Sequence, residues 1–393
     1  MRQLFLEHVG QTSGNPLMIE IERAEGIYMY SPTGKRYTDL ISGVTVSNIG
    51  HGNPQVTEAV CNQVRDYMHL MVYGEVVESP QVRYAQALAS HLPESLQSVY
   101  FVNSGSEAVE GAMKLAKRYT GRREIIGYVN AYHGSTHGAL SLMGGEDFKY
   151  AARPLLPDVN HIRLNNFDDL LHITERTAAV FIEPVQGEGG VRVCTQEYLS
   201  ALREKCTQTG ALLVFDEIQT AFGRCGSRFA FQRYGVTPDI LVLAKALGGG
   251  MPLGAFVSSN GIMETLKTNP VLGHITTFGG HPVCCAAGLA AFDFLSSSGL
   301  IEQADAKGKL FEEILSGHPL IKEIRRIGLL LAIEIGDEEL NQRIIRDFVE
   351  EGLVPDTFLF CESAFRIAPP LIITEEQIRE TSAVIIKSLD KFK

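Results

Sequence analysis

Between residues 99 and 259 the chain keeps returning to one pattern, a short apolar run followed by a helical stretch, and this pattern most restricts its fold. The runs at 99–102, 124–129, 179–185, 211–215, 240–243 and 255–258 are rich in Val, Ile and Leu. They lack the period-two polarity of a strand with one wet face, so they read as strands buried on both sides. Helical patterns at 106–119 and 196–208 lie between them. Parallel neighbours need a crossover, and a helix supplies one. The expected class is α/β, a mostly parallel sheet flanked by helices.

The two ends read differently. Residues 18–22 alternate and 26–30 suggest a second short strand before the turn Ser31-Pro32-Thr33-Gly34. A long helix is expected after about 286, then strand signals at 324–335 and helices at 337–351 and 375–389. A chain of 393 residues exceeds what one small core serves. The expected division is a large domain over 49–290 and a small α+β domain built from both ends, 1–48 and 291–393.

Charge and composition exclude several classes. A formal charge of −11 disfavours nucleic acid, whose phosphates call for a basic surface. No apolar stretch approaches the roughly 20 residues of a membrane span, and residues 1–10, with Arg2, Glu7 and His8, lack an apolar signal core. Seven cysteines without ligand spacing read as reduced thiols, with no metal site expected. A soluble, cytoplasmic enzyme is the expectation. The 38 glycines gather at 187–190, 248–250 and 279–280, as where backbone approaches a ligand.

Ligands of such sheets sit beyond the carboxyl ends of the strands, so the residues after each run are the candidates. After 99–102 comes Asn103-Ser104-Gly105-Ser106-Glu107, a polar turn opening a helix. Free N–H groups at Gly105 and Ser106, the Ser106 hydroxyl and the helix dipole favour a phosphate. Taken alone the segment reads first as a helix cap, Ser104 with Glu107. Neither GxGxxG nor GK[ST] is present, which disfavours a dinucleotide or a nucleoside triphosphate, and with it a dehydrogenase. After 211–215 come Asp216 and Glu217, of which alternation turns only one into a site. After 240–243 comes Lys245 between apolar neighbours, followed by Gly248-Gly249-Gly250. A lysine at a strand end commonly snorkels to solvent; in an apolar pocket it loses its charge and becomes a nucleophile. Together, a phosphate cradle, an acid and an apolar lysine are the parts that hold pyridoxal phosphate, whose ring nitrogen an acid keeps protonated.

At this point the sequence resembles the class III aminotransferases, the group of ornithine, acetylornithine, 4-aminobutyrate and other ω-amino transaminases. The match runs from Gly34-Lys35-Arg36-Tyr37-Thr38-Asp39 and Gly50-His51-Gly52-Asn53-Pro54 to Arg366-Ile367-Ala368-Pro369-Pro370. Its most specific part is Phe215-Asp216-Glu217-Ile218-Gln219-Thr220-Ala221-Phe222-Gly223-Arg224, with Lys245 standing 29 residues beyond Asp216. The resemblance implies the fold-type I architecture of pyridoxal-phosphate transferases and ping-pong transamination from an ω-amino donor to a 2-oxo acid such as 2-oxoglutarate. It implies that Lys245 carries the cofactor as a Schiff base and shuttles the proton, and that Asp216 partners the pyridine nitrogen. Gln219 would donate to the ring's phenolic oxygen, Tyr132 would stack on the ring, and Gly105 and Ser106 would hold the phosphate. Thr277 would reach the phosphate of a neighbouring subunit, making a homodimer with shared sites. Glu188 and Arg366 would form a switching pair, the arginine binding the α-carboxylate of the oxo acid as a fork.

Three positions depart from the family pattern. Ala221 stands for a usual glycine, and His281 for the asparagine that commonly precedes proline; neither is expected to touch a reacting atom. Ser135 stands where the ornithine, acetylornithine and 4-aminobutyrate members carry an arginine that holds the donor's far carboxylate. A hydroxyl cannot replace a guanidinium, so the donor is expected to lack that carboxylate unless another residue reads it. Aminomutases and decarboxylases share the scaffold, but a switching pair is useful only for two alternating substrates. A non-catalytic binding protein of the same fold would need neither Lys245 nor Asp216.

Overall fold

The computed structural model describes residues 1–393. The apolar runs pair into one seven-stranded sheet in the order Ser98–Val102, Gly254–Ser258, Ile240–Leu243, Leu212–Asp216, Thr177–Ile182, Glu124–Tyr128, Val159–Ile162. The last five are parallel, while Gly254–Ser258 runs antiparallel to both its neighbours. Thr177–Ile182, Leu212–Asp216, Ile240–Leu243 and Gly254–Ser258 are buried at every residue, which is why no polar alternation marks them. The edge strand Val159–Ile162 carries Asn160 and His161 and gave no apolar run to read.

Helix Gly105–Thr120 lies directly on this sheet. Ser104 caps it by accepting the Glu107 N–H at 3.2 Å, and Gly121 ends it at φ +70°. Its Gly111 faces Phe256 so closely that a Cβ would lie 2.3 Å from the ring. Any side chain there would force the Phe256 ring or the helix itself to shift.

Both chain ends meet in a four-stranded sheet of Arg23–Glu25, Tyr28–Tyr30, Arg36–Asp39 and Leu353–Val354, the last pair parallel. A second sheet, antiparallel throughout, joins Glu323–Ile327, Leu330–Glu334, Cys361–Ile367 and Asp356–Phe358. Helices Leu300–Leu315, Glu338–Glu350 and Glu375–Asp390 pack around them. The alternation at 18–22 is not a strand: the hairpin register begins at Arg23 opposite Tyr30, and Met18 has φ +55°, outside the extended region. The long helix begins earlier than read, at Pro282, and runs to Ser297. All seven cysteines are free thiols. No single helix is long and apolar enough to cross a membrane.

Candidate functional site

The carboxyl ends of Leu212–Asp216 and Ile240–Leu243 lie side by side, with Asp216 in register with Val242. Asp216 and Lys245 are therefore neighbours across one cavity of about 470 Å³, which Gly105, Ser106, Tyr132 and Gln219 also line. Six of the residues singled out from the sequence thus meet in one place. Thr277, Ser135, Glu188 and Arg366 do not line that cavity.

Asp216 is fixed by two donors. The Ile218 N–H reaches Oδ1 at 3.0 Å and His133 Nδ1 lies 2.7 Å from Oδ2. A carboxylate only accepts, so Nδ1 carries the proton. His133 is fully enclosed, and its Nε2 has no partner. Glu217, the second acid of the pair, points the other way, fully buried, and accepts the Ala230 and Phe231 N–H groups. One acid enters the site and one does not, as alternation requires.

Lys245 begins a single 3₁₀ turn with φ +53°, and burial pushes its ammonium down to about 8. Glu188 opposes that shift and Arg366 reinforces it. The neutral, nucleophilic form is thereby brought within reach of ordinary pH. At the other end of the cavity the loop His133-Gly134-Ser135 rests on the helix N-terminus. The Ser135 N–H donates to Ser106 Oγ at 3.2 Å, and a Cβ on Gly134 would fall 2.0 Å from that oxygen. Ser104 caps the helix, as one reading of the segment has it, and Ser106 lines the cavity. Tyr132 is half-buried, its hydroxyl 3.3 Å from Ser135 Oγ; Ser135 itself is exposed.

Beside the cavity, both carboxylate oxygens of Glu188 lie 2.8 Å from Arg366 Nη2. Arg366 is buried, on the face of Phe358 at 4.6 Å, and its Nε has no partner. Burial alone would raise the Glu188 carboxyl; Arg366, Lys245 and Gln219 outweigh it and hold it below the usual value. Gln219 joins the pair to the cavity: its Nε2 donates to Glu188 at 2.9 Å, and its Oε1 lies 3.4 Å from Arg366 Nη1. The glutamate thus occupies Nη2, which the Thr357 carbonyl also reaches, and leaves only Nε without a partner.

Two residues were missed by sequence reasoning. His133 sat inside a quoted motif, but nothing in the chain says which acid it meets. Glu183 lines the cavity and accepts the Tyr132 N–H at 3.1 Å and the Gly187 N–H at 3.3 Å. It thereby ties the loop of Tyr132 to the loop of Glu188. Burial, and then Asp216, push its carboxyl well up, against the pull of those two N–H groups.

The residues present suit a flat aromatic ring bearing a phosphate. A helix N-terminus narrowed by glycine lies at one end, where a Cβ on Gly105 would meet Ile218 at 2.7 Å. A buried, doubly anchored carboxylate and a lysine of depressed basicity line the same space.

Comparisons with known proteins agree. A family model described as "Aminotransferase class-III" matches residues 9–389. The chain is 38% identical over 369 residues to an acetylornithine aminotransferase of Methanopyrus kandleri, covering 93% of this chain and 92% of that one. It is 39% identical over 361 residues to a putrescine aminotransferase of Pectobacterium atrosepticum, covering 88% and 76%. Among solved structures, a transaminase from the marine bacterium Virgibacillus superposes with a TM-score of 0.93 at 28% identity, covering 99% and 98%. An ornithine aminotransferase from Toxoplasma gondii, described with partial occupancy of pyridoxal phosphate at its active site, gives 0.91 at 29% identity, covering 99% and 93%.

Proposed function

The chain belongs to the class III aminotransferases, a family of pyridoxal-phosphate enzymes, and from this we propose that it moves an amino group from an ω-amino donor to 2-oxoglutarate by a ping-pong route. One observation carries the reading: a cavity that joins Lys245, Asp216 and the Gly105–Ser106 helix terminus, with a Glu188–Arg366 pair at its side.

The family's cofactor supplies an electron sink for the charge left when the amine carbon loses its proton. The chain's own residues do the rest. Lys245 Nζ is the base that takes that proton and returns it, a task suited to an amine pushed down to about 8. Asp216, held by His133 and the Ile218 N–H, keeps a negative charge where a ring nitrogen would hold its proton. Gly105 and Ser106 are assigned to the phosphate, Tyr132 to one face of the ring, and Gln219 to its phenolic oxygen through the amide proton not given to Glu188. Glu188 neutralises Arg366 while the donor is present, and the oxo acid's carboxylate then takes the arginine. Two substrates in turn are what such a pair serves, and this favours transamination over other reactions of the scaffold.

The assembly is proposed as a homodimer. Thr277 is exposed on a segment whose Val271, Ile275 and Phe278 are 72%, 51% and 54% exposed, and Met68 and Val77 are 60% and 89% exposed. Such apolar surface suits a subunit contact, with Thr277 reaching a neighbour's phosphate. The cytoplasm is the proposed location. We also place the domain division at about 48 and at the turn of Ser298–Gly299 rather than 290, because helix Pro282–Ser297 is continuous there.

A panel of amine donors against 2-oxoglutarate and pyruvate, read as product amino acid, tests the function. Lys245→Ala should abolish turnover with the fold intact. Wild-type turnover by that variant, or no amino acid from any donor, would overturn the reading.

A further inference from the structure

The family assignment leaves the amine donor open, and one acid outside the motifs bears on it. Strand Asp356–Phe358 pairs antiparallel with Cys361–Ile367, and Asp356 stands directly opposite Arg366. Residues directly opposed in an antiparallel pair project to the same face. Phe358, two residues on, lies against the Arg366 guanidinium, and Arg366 Nη2 reaches the Thr357 carbonyl at 3.2 Å. Asp356 therefore shares the face that presents Arg366 to the site.

Its carboxylate is unspent. Asp356 takes part in no ion pair; one oxygen accepts the N–H of its neighbour Thr357 at 2.8 Å, and the other has no protein donor. Arg366, the nearest candidate by register, is already engaged by both oxygens of Glu188. Burial raises the Asp356 carboxyl, and Arg366, the Thr357 N–H and Lys245 pull only partly against it. Glu188, Asp216 and Glu183 stand around Lys245, with Arg366 as a cation among them. Position 135 offers a hydroxyl. A donor ending in a carboxylate meets an Arg366 already held by Glu188, whereas a donor ending in an ammonium meets an Asp356 oxygen with no protein donor.

We propose that Asp356 is a specificity-determining residue of the donor half-reaction, its carboxylate taking the far ammonium of an aliphatic diamine whose other amino group reacts at Lys245. The proposal rests on the aminotransferase reading and narrows its substrate class.

The holoenzyme is assayed with 2-oxoglutarate and three donors of one chain length: diaminobutane, butylamine and 4-aminobutyrate. Wild-type kcat/KM for the diamine should exceed that for butylamine by about tenfold or more, the worth of one charge-assisted hydrogen bond. Asp356→Asn should erase that preference through the diamine's KM and leave the KM for 2-oxoglutarate within about twofold. Equal use of butylamine or 4-aminobutyrate by the wild type, or a preference that survives Asp356→Asn, overturns the proposal. Should Asp356→Asn not fold, judged by loss of the cofactor's visible absorption, the wild-type donor comparison decides alone. If no donor yields an amino acid, the aminotransferase reading fails separately. Calorimetric binding of diaminobutane to the cofactor-loaded Lys245→Ala protein then decides Asp356: binding lost on adding Asp356→Asn supports it, and binding unchanged refutes it.

Discussion

His133 Nδ1 lies 2.7 Å from Asp216 Oδ2, and both side chains are buried. The imidazole comes from the loop after strand Glu124–Tyr128 and the acid from the end of Leu212–Asp216. The contact does two things at once: it fixes the direction of the carboxylate and satisfies a buried oxygen. His133→Phe removes the donor and should cost about 1–3 kcal/mol, the penalty for stranding a buried acceptor. Cofactor dissociation, followed by absorbance, should quicken alongside the fall in unfolding temperature. His133→Asn, which keeps an N–H donor, should recover part of both. A His133→Phe protein as stable and as retentive as wild type would rule this role out.

Lys245 gives a stability test that needs no turnover. In the cofactor-free chain its ammonium loses its proton near 8, against an ordinary 10.5 in the unfolded chain. Between those values the unfolded state holds more protons, so stability rises with pH. Below about 8 the full cost of burying the charge is present. Lys245→Met removes that cost, so the cofactor-free variant should be the more stable near neutral pH by no more than about 3 kcal/mol. The gap should close as the pH approaches 10.5. Denaturant unfolding at both ends of that window checks it, and a gap that does not change with pH would mean that the buried ammonium is not its cause.

Thr277→Ala should weaken cofactor retention in both sites of a dimer by about 1.5–3 kcal/mol, the range for a hydrogen bond to a charged group. Its neighbour Thr276 is held by Asn103 Nδ2 at 3.0 Å, so the segment is anchored beside the Gly105–Ser106 turn of its own chain. Sedimentation joined to activity provides the check. A fully active monomer would refute the shared site.

The parts of the site that lie close along one sheet were legible from the sequence. Asp216 and Lys245 follow apolar runs that prove to be parallel neighbours, and strand-end reasoning placed both on the same edge. Glu188 and Arg366 are 178 positions apart, and no periodicity joins them; only the resemblance did. Asp356 was invisible because its place opposite Arg366 depends on a hairpin whose register shifts between Thr357 and Phe358. Local alternation misled at 18–22, where only the Glu22 N–H reaches a strand partner, the Tyr30 carbonyl, and was silent at Val159–Ile162, where a half-polar segment is recruited by Glu124–Tyr128. Pairing partners decide such strands, and a single segment does not carry its partner.

Arg366→Lys keeps the charge and loses the planar fork. The guanidinium now touches Glu188, Gln219, the Thr357 carbonyl and the Phe358 ring, four contacts that one ammonium cannot reproduce. We expect a large loss in kcat/KM for 2-oxoglutarate and a smaller one for the donor. Equal losses in both halves would mean that Arg366 serves the fold rather than the alternation of substrates.

Ser135→Arg tests the donor side from the opposite direction. Ser135 is exposed, its hydroxyl 3.3 Å from Tyr132 and its N–H on Ser106, so a longer side chain can extend without displacing a buried neighbour. A guanidinium there would supply the missing partner for a donor carboxylate. Use of 4-aminobutyrate or acetylornithine should rise, with roughly 2–5 kcal/mol as the ceiling for a well-seated charge pair. A grafted arginine forfeits part of that ceiling, because its side chain must be immobilised in one rotamer. It would also add a cation beside Tyr132, so use of a diamine should fall as use of the amino acids rises. That reciprocal change separates a charge reading from mere crowding, which would depress both. Steady-state kinetics of wild type and variant on diaminobutane, 4-aminobutyrate and acetylornithine provides the measurement. Efficient wild-type use of the two carboxylate donors would mean that another cation already reads the carboxylate, and Ser135 would lose its significance.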